Sequence, residues 1–348
     1  MRRFWHRALF CVLVLTLPPG GLRAGEFTDG LIRLVLHEDT GRFSLYYLED
    51  LSRENFEPLF TDQDPRTSFF SILLNDKSYR LGESSAFRLR REAEETNPAF
   101  LFISPFLRIR EEFSFIKTAG SSQANGIRIT VSVENTGVQE INLGFRFLLD
   151  ASLGERGRGA PPFLTDKRSI ESETLITAQD DDRQWISRND RLSLMGSISG
   201  GVERRPDQLH FANWKRLNEV PWKTSFTAGR NFNYLPYSID DSAVCYYYEP
   251  RPLSRGESAS YTILLAAEDP RGFDGPEKPP VRPARETVPL PANASSPAAD
   301  GRAADLALLQ DLLNRLDRYM AGEISITADD LAAMEASIAR LKARYGLP

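Results

Sequence analysis

The chain has 348 residues, of which 41% are hydrophobic, 10% aromatic and 26% charged, and its formal net charge is -5. These fractions are typical of a folded globular protein and exclude a wholly disordered, collagen-like or multi-span membrane chain. An acidic chain without a block of basic residues also argues against binding to nucleic acid or to an anionic membrane surface.

The first 24 residues have the pattern of a secretory signal peptide. Three arginines lie between Met1 and Arg7, an apolar run extends from Ala8 to Leu17, and Ala24 is a small residue suited to cleavage. The apolar run is shorter than the roughly 20 residues of a spanning helix, although an uncleaved anchor is an alternative. We predict export to the periplasm, within the bacterial cell envelope, with no membrane span after cleavage.

Cysteine and histidine are scarce in the predicted mature chain. Only Cys245 remains after cleavage, so no intramolecular disulfide can form, and its apolar neighbours predict a buried thiol. His37 and His210 are far apart and lack the spacing of metal ligands. We predict no zinc site and no cofactor, and we interpret His210 as a structural residue beside aromatic side chains.

Residues 25–273 are rich in alternating apolar and polar runs. Ile127, Ile129, Val131 and Val133 alternate with polar residues, which predicts a strand with one buried face. The run 141–147 repeats the pattern after a turn-like segment, so we expect the two runs to form an antiparallel pair. Further strands are predicted at 31–36, 43–47, 69–74, 86–91, 100–103, 107–116, 193–198, 243–248 and 258–265.

Ten or more short strands with few helical patterns favour a mainly β fold. We predict a large antiparallel β-sandwich over residues 25–273, with two packed smaller sandwiches as the alternative. Seven prolines between Gly275 and Asp300 predict a linker over 274–300, because proline fixes φ and removes a hydrogen-bond donor.

The period changes from two to helical beyond the linker, which predicts an α-helical hairpin over 301–348. Its thin core calls for a partner surface: its own sandwich, a second copy or another protein. The stripe predicted to bind a partner consists of Leu309, Leu312, Leu316, Leu331, Met334, Ile338 and Leu341.

A search for catalytic signatures finds no Gly-rich phosphate loop, no HExxH, no paired CxxC and no GxSxG. We therefore predict a protein that is not an enzyme and that holds no metal. Asp180–Asp182 and Asp240–Asp241 are either calcium-binding loops or solvated turns. Asp150 and Glu155 flank a strand end, but a glycosidase requires two opposed carboxylates, which the sequence alone does not establish.

Aromatic residues are concentrated between 185 and 237. Exposed aromatic rings on a sandwich can stack on sugar rings or form a protein-binding patch, and buried ones would only complete the core. Trp185, Trp214 and Trp222 are our candidate ligand-binding aromatics. The same region contains Phe226, Phe232, Tyr234 and Tyr237, interleaved with Lys215, Arg216, Lys223 and Arg230.

Two segments resemble a motif of exported bacterial β-sandwich proteins of mostly unknown function. The first runs from Val131 through Asn135-Thr136-Gly137 to Gly144-Phe145-Arg146 and Asp150, and the second contains Asp241-Ser242-Ala243-Val244 and Gly256-Glu257-Ser258. The resemblance covers residues 30–268. It implies a large sandwich, similar in outline to the super-sandwich of sugar mutarotases, and it supplies no catalytic residues.

Two functional hypotheses follow. The first is a non-enzymatic envelope protein whose sandwich is a binding or scaffold module and whose helical tail binds a protein partner or a second copy. The alternative is a carbohydrate-binding or carbohydrate-active sandwich protein with a glycan ligand, centred on the three tryptophans.

Overall fold

The computed structural model describes residues 24–50, 52–62, 64–92, 97–156 and 161–273. The predicted signal peptide up to residue 23, the linker and the helical hairpin with its leucine stripe lie outside these residues. Within them the chain forms 19 strands, one short α-helix and two 3₁₀ turns, and all strand pairs that form the sheets are antiparallel. The prediction of a mainly β, antiparallel fold is confirmed.

The first eleven strands follow one another with short connections. Their bounds are β1 Ala24–Asp29, β2 Ile32–His37, β3 Arg42–Asp50, β4 Asn55–Pro58, β5 Phe69–Leu74, β6 Lys77–Arg80, β7 Arg88–Glu92, β8 Ala99–Ile103, β9 Leu107–Ile116, β10 Gly126–Asn135 and β11 Ile141–Leu149.

The remaining elements include the single helix, which comes directly after β17. Their bounds are β12 Phe163–Thr165, β13 Ser169–Ile170, β14 Thr174–Thr177, β15 Gln184–Arg188, β16 Ser193–Ser197, β17 Gln208–Asn213, α1 Trp214–Glu219, β18 Ser242–Leu253 and β19 Ser258–Ala266; the 3₁₀ turns are Pro65–Thr67 and Gly154–Arg156.

The strands form three sheets. A nine-stranded sheet has the order β13-β12-β15-β16-β19-β10-β9-β8-β7, a six-stranded sheet has the order β14-β17-β18-β11-β5-β6, and β1 to β4 form a small sheet in chain order. The alternation that predicted β10 also explains its place, because its isoleucines and valines are fully buried on one face.

One hydrophobic core joins the three sheets. Phe145 of the six-stranded sheet stacks on Tyr261 of the nine-stranded sheet with ring centroids 4.5 Å apart. Phe43 of the small sheet contacts Phe113 at 5.3 Å and Phe147 at 6.3 Å, which are residues of the two larger sheets. Such aromatic pairs add to the hydrophobic stabilisation of burial. The two large sheets therefore form the layers of a sandwich.

The predicted pairing of β10 with β11 is wrong. β10 pairs with β9 and β19, whereas β11 pairs with β5 and β18 in the other large sheet. The segment between them crosses from one layer to the other. The physical reason is that β11 is buried on both faces, so it occupies an inner position of the six-stranded sheet rather than the second half of a hairpin.

Glu111 is a charged residue at a core position of β9. It shares a face with Ile109 and Phe113, and it is fully buried. Neither carboxylate oxygen has a hydrogen-bond partner. Burial raises the pKa of Glu111 to about 8, against the opposing effect of the Arg42 charge. The core therefore holds a carboxyl group that is mostly protonated at neutral pH.

Candidate functional site

The candidate site is built on the face of the six-stranded sheet that points away from the core, which we call the outer face. Cys245 and Tyr247 of β18 and Leu148 of β11 are buried there. Leu217 of α1 packs on the same cluster. The predicted burial of the Cys245 thiol is confirmed. Residues 214–241, which we call the cover segment, begin on this outer face, where Trp214, Leu217 and Trp222 pack on the cluster.

The cover segment begins with α1, whose start follows from its sequence. Asn213 is the N-cap, and its side chain accepts a hydrogen bond from the backbone N–H of Arg216 at 3.2 Å. Lys215 and Glu219 form an ion pair of 3.2 Å one turn apart. The helix has a single buried side chain, Leu217, so it is held mainly by contacts with the sheet.

Two arginines of the sheet donate hydrogen bonds to the C-terminal end of α1. Arg146 donates to the carbonyl oxygens of Leu217 and Val220, and its Nε donates to Cys245 Sγ at 3.0 Å. Arg80 donates to the carbonyl oxygen of Asn218. Cations at a helix C-terminus stabilise it, because the last carbonyl groups there lack partners within the helix. Arg146 belongs to the motif discussed above, and its role is to anchor the cover segment.

The other side of the cover segment is held by Glu173, which precedes β14. This fully buried carboxylate lies 3.0 Å from His210 Nε2 and 3.1 Å from an Arg216 guanidinium nitrogen, and it accepts a hydrogen bond from Thr227 N at 3.0 Å. Arg230 lies 3.5 Å from the same carboxylate. These hydrogen bonds and ion pairs offset the free energy lost when the carboxylate is removed from water.

His210 is a buried imidazole within this cluster. Burial lowers its pKa, and this effect outweighs the opposite effect of the hydrogen bond and charge of Glu173. The Phe226 ring meets the imidazole edge to face at 5.9 Å. The interpretation of His210 as a residue beside aromatic side chains agrees with this packing, but the sequence analysis missed its contact with Glu173.

Beyond α1, the cover segment presents a pair of tyrosines, which we call the tyrosine platform. The rings of Tyr234 and Tyr237 lie 5.9 Å apart and are tilted by 31°. Lys215 Nζ lies 5.2 Å from the centroid of Tyr237, and the Arg216 guanidinium lies 5.8 Å from that of Tyr234. Tyr237 is 71% exposed. An aromatic surface supported by cations is thus open to solvent.

The backbone of the platform is fixed by its own hydrogen bonds. Tyr234 N donates to Ser238 O at 2.8 Å and Tyr237 N donates to Tyr234 O at 2.8 Å. Asn213 Nδ2 donates to the Ser238 hydroxyl at 2.8 Å and to the carbonyl oxygens of Phe232 and Asp241. The N-cap of α1 therefore also holds the platform against the sheet.

Three carboxyl groups lie at the end of the sheet where β11 stops and β18 begins. Glu155 accepts hydrogen bonds from the backbone N–H of Ser242 and from its hydroxyl, the latter at 2.9 Å. Burial raises the pKa of Glu155 to about 7, and the charges of Asp150 and Asp241 contribute in the same direction. Burial also raises the pKa of Asp241. Asp150 and Glu155, which the sequence placed at a strand end, are electrostatically coupled.

The three tryptophans do not form one surface. Trp185 is 0% exposed and donates from Nε1 to the Tyr246 hydroxyl at 2.6 Å within the core, so it cannot stack on a ligand. The physical reason for this correction is that β15 belongs to the nine-stranded sheet and its Trp185 side chain packs into the main core, edge to face on Phe163. Trp214 donates from Nε1 to Thr67 O at 2.9 Å, and Trp222 packs edge to face on Tyr247; both are half-buried on the outer face.

One of the two acidic loops considered for calcium, Asp180–Asp182, contacts a cation of the protein. Asp180 and Asp182 both pair with Arg168, the former at 2.8 Å, and Asp182 is buried. In the described part of the chain, no group of three or more His, Cys, Asp or Glu residues is arranged to hold a metal ion. No helix in these residues is long and apolar enough to cross a membrane.

Comparisons with known proteins show structural similarity only. No family model and no curated protein matches the chain. Solved structures that match include a galactose mutarotase related enzyme from Lactobacillus acidophilus and galactose mutarotase-like proteins from Lactobacillus casei and Clostridium acetobutylicum. Each is 10% identical, with TM-scores of 0.44, 0.41 and 0.37. The matches cover 73%, 71% and 70% of this chain and 100%, 100% and 94% of theirs.

Proposed function

We propose that this protein binds carbohydrate through the tyrosine platform. The observation that supports this function is the exposed Tyr237 ring beside the half-buried Tyr234 ring, with Phe226 43% exposed in the same segment. Sugar rings present apolar C–H faces that stack on aromatic rings, and tyrosine adds a hydroxyl that can hydrogen-bond to them. The proposal concerns binding without turnover.

Rigidity favours this use of the segment. The cover segment is anchored by Arg80 and Arg146 at one side and by Glu173 at the other, so the platform loses little conformational freedom when a ligand binds. Polar side chains that can hydrogen-bond to sugar hydroxyls surround it, including the exposed Asn231 and Asp240 and the half-buried Asn233. Aromatic rings flanked by hydrogen-bonding groups are what recognition of a polyhydroxylated ligand requires.

The test is calorimetric titration with a panel of neutral and acidic oligosaccharides. We expect at least one oligosaccharide to bind. Tyr237→Ala should lower the affinity for that oligosaccharide by about fivefold to tenfold, which corresponds to the loss of one stacking contact. Tyr237→Phe should keep most of the affinity, because the ring remains. A panel without any binder, or a glycan that binds Tyr237→Ala as well as the native chain, would contradict the proposal.

A second candidate function is binding of a protein partner. Leu235 is 72% exposed and Ile239 is 68% exposed, and both flank the platform. Aliphatic side chains this open suit a protein surface better than a sugar. The matched variant is Leu235→Ala. If the platform binds a glycan, Leu235→Ala should leave the glycan affinity unchanged. If the same surface binds a protein partner, Leu235→Ala and Tyr237→Ala should weaken the binding of that partner equally. Binding through the helical stripe and a periplasmic location remain predictions from the sequence.

A further inference from the structure

The turn that carries the tyrosine platform projects three hydrophobic side chains into solvent. Leu235 is 72% exposed, Tyr237 71% and Ile239 68%, and they alternate within one turn, which we call the apolar tip. Only two other large hydrophobic side chains of the described residues are exposed, Val138 and Phe226. Single exposed apolar side chains are ordinary on a protein surface, whereas a cluster in one turn indicates a contact surface.

Hydrogen bonds within the turn satisfy much of the backbone of the apolar tip. Tyr234 N donates to Ser238 O at 2.8 Å, and Ser238 N and Tyr237 N both donate to Tyr234 O, at 3.0 and 2.8 Å. Pro236 has no N–H to satisfy, and the Ser238 hydroxyl is turned back to accept a hydrogen bond from Asn213 Nδ2 at 2.8 Å. Because a backbone group without a partner is costly away from water, this closed turn can leave water at a lower cost than an open loop.

Charged residues flank the apolar tip but do not interrupt it. Residues 231–239 contain no charged side chain; Arg230 precedes them and Asp240 follows. Lys215, which lies against the tyrosine platform, pairs with Glu219 at 3.2 Å. These flanking charges balance, so the surface around the tip has little net attraction for an anionic partner.

We propose that the apolar tip inserts into the interfacial region of a lipid bilayer, with Leu235 and Ile239 among the upper acyl chains and the Tyr237 ring at the level of the headgroups. Aliphatic side chains partition into hydrocarbon, and tyrosine favours the interface, where its ring is apolar and its hydroxyl group is hydrated. Such insertion anchors a protein at the membrane surface without a spanning segment.

The size and shape of the apolar tip favour a lipid surface over a protein. A specific protein interface involves about 20–30 residues on each side, whereas the tip presents three hydrophobic side chains on one projecting turn. A bilayer requires no complementary shape, and its hydrocarbon accepts each of these side chains separately. The inference goes beyond the proposed carbohydrate binding and does not depend on it.

The experiment is co-sedimentation with vesicles of phosphatidylcholine, and with vesicles in which part of this lipid is replaced by phosphatidylglycerol. It uses the chain from Ala24 onward, which contains every described element. We expect partition into both kinds of vesicle, with affinities that differ less than about threefold, because the flanking charges balance. Leu235→Ala combined with Ile239→Ala should weaken partition at least about tenfold, because it removes most of the aliphatic surface that leaves water.

The matched control is Val138→Ala, which truncates an aliphatic side chain that is 79% exposed. Val138 precedes Ile141, which pairs with Leu253 at the end of β18, whereas the apolar tip adjoins the start of β18 at Ser242. The control should partition within about twofold of the native chain. All three substituted side chains are exposed, so circular dichroism should report a native fold for each variant.

Three results would overturn the proposal: no partition of the native chain, binding confined to the vesicles with phosphatidylglycerol, or an equal loss in Val138→Ala. Sedimentation equilibrium without vesicles adds a fourth test. A native oligomer that the double variant dissociates would identify the tip as an interface between copies of this chain and would also overturn the proposal. The vesicles contain no glycan, so none of these results bears on carbohydrate binding by the tyrosine platform.

Discussion

Glu111 and Glu173 are both buried glutamates, yet their surroundings differ. Glu173 lies at the edge of the six-stranded sheet and contacts an imidazole, two guanidinium groups and a backbone N–H. Glu111 lies in the core, where both of its oxygens lack hydrogen-bond partners. Removing a carboxylate from water is tolerated when donors replace the water, or when the group takes up a proton. Glu173 joins the edge of the six-stranded sheet to the cover segment, and Glu111 makes the stability of the core depend on pH.

The largest effect is expected for Glu173→Gln. The change leaves Arg216 and Arg230 without their common carboxylate, so the free energy of unfolding should fall by about 3–5 kcal/mol. Urea denaturation measures this directly. Faster proteolysis within residues 221–241 should accompany it, since the cover segment loses one anchor.

The matched control is Glu171→Gln, two residues earlier, where the glutamate is exposed. Its free energy of unfolding should match that of the native chain within about 0.5 kcal/mol. A Glu173→Gln protein as stable as this control would show that the buried ion pairs contribute nothing to the anchor.

Glu111→Gln should change the pH dependence of stability. The pKa of Glu111 is about 8 in the folded chain against 4.5 as the reference value. Between these values the unfolded chain releases the proton that the folded chain keeps, so the stability of the native protein falls as pH rises from 4.5 to 8. The loss should be on the order of 3 kcal/mol, and glutamine should remove it.

Unfolding free energies at pH 5 and pH 8 test this difference. Glu112→Gln is the control, because Glu112 is the next residue of β9, is only half-buried and pairs with Arg110. That variant should retain the native pH dependence. If Glu111→Gln and the native chain show the same profile between pH 5 and pH 8, Glu111 is ionised in the fold.

A smaller effect is expected for His210→Gln. Burial lowers the pKa of His210 below 6.5, so the unfolded chain takes up a proton first as pH falls, and stability decreases between about pH 7 and pH 5. The variant should show a smaller decrease than the native chain over this range. Part of it should persist, because burial also lowers the pKa of His37. An unchanged profile would contradict the assignment.

The strands could be predicted because alternation is a local signal. The predicted bounds of β5 and β9 coincide with those of the structure, and those of β8, β16 and β19 differ by one residue. The pairing of β10 could not be predicted from the same signal. It depends on which layer each strand joins, and the partner β19 is more than a hundred residues away.

The candidate site was predictable only in part. The concentration of aromatic residues led to the cover segment, and it includes Tyr234 and Tyr237, but composition does not distinguish the buried Trp185 from the exposed Tyr237. No local sequence pattern indicated a role for Glu173, because its partners lie 37 to 57 residues later in the chain. Arg146 was visible in the motif, but its contact with the end of α1 depends on tertiary packing.

The anchoring of the cover segment at both sides has a consequence for protein engineering. Side chains of the sheet hold it through Leu217, Asn218 and Arg216, whereas the exposed residues around the platform make few contacts with the strands. Sequence diversity introduced at these exposed residues should thus be tolerated by the scaffold. A library randomised at Phe226, Leu235, Tyr237 and Ile239 would offer a way to select new ligand specificities on an unchanged framework.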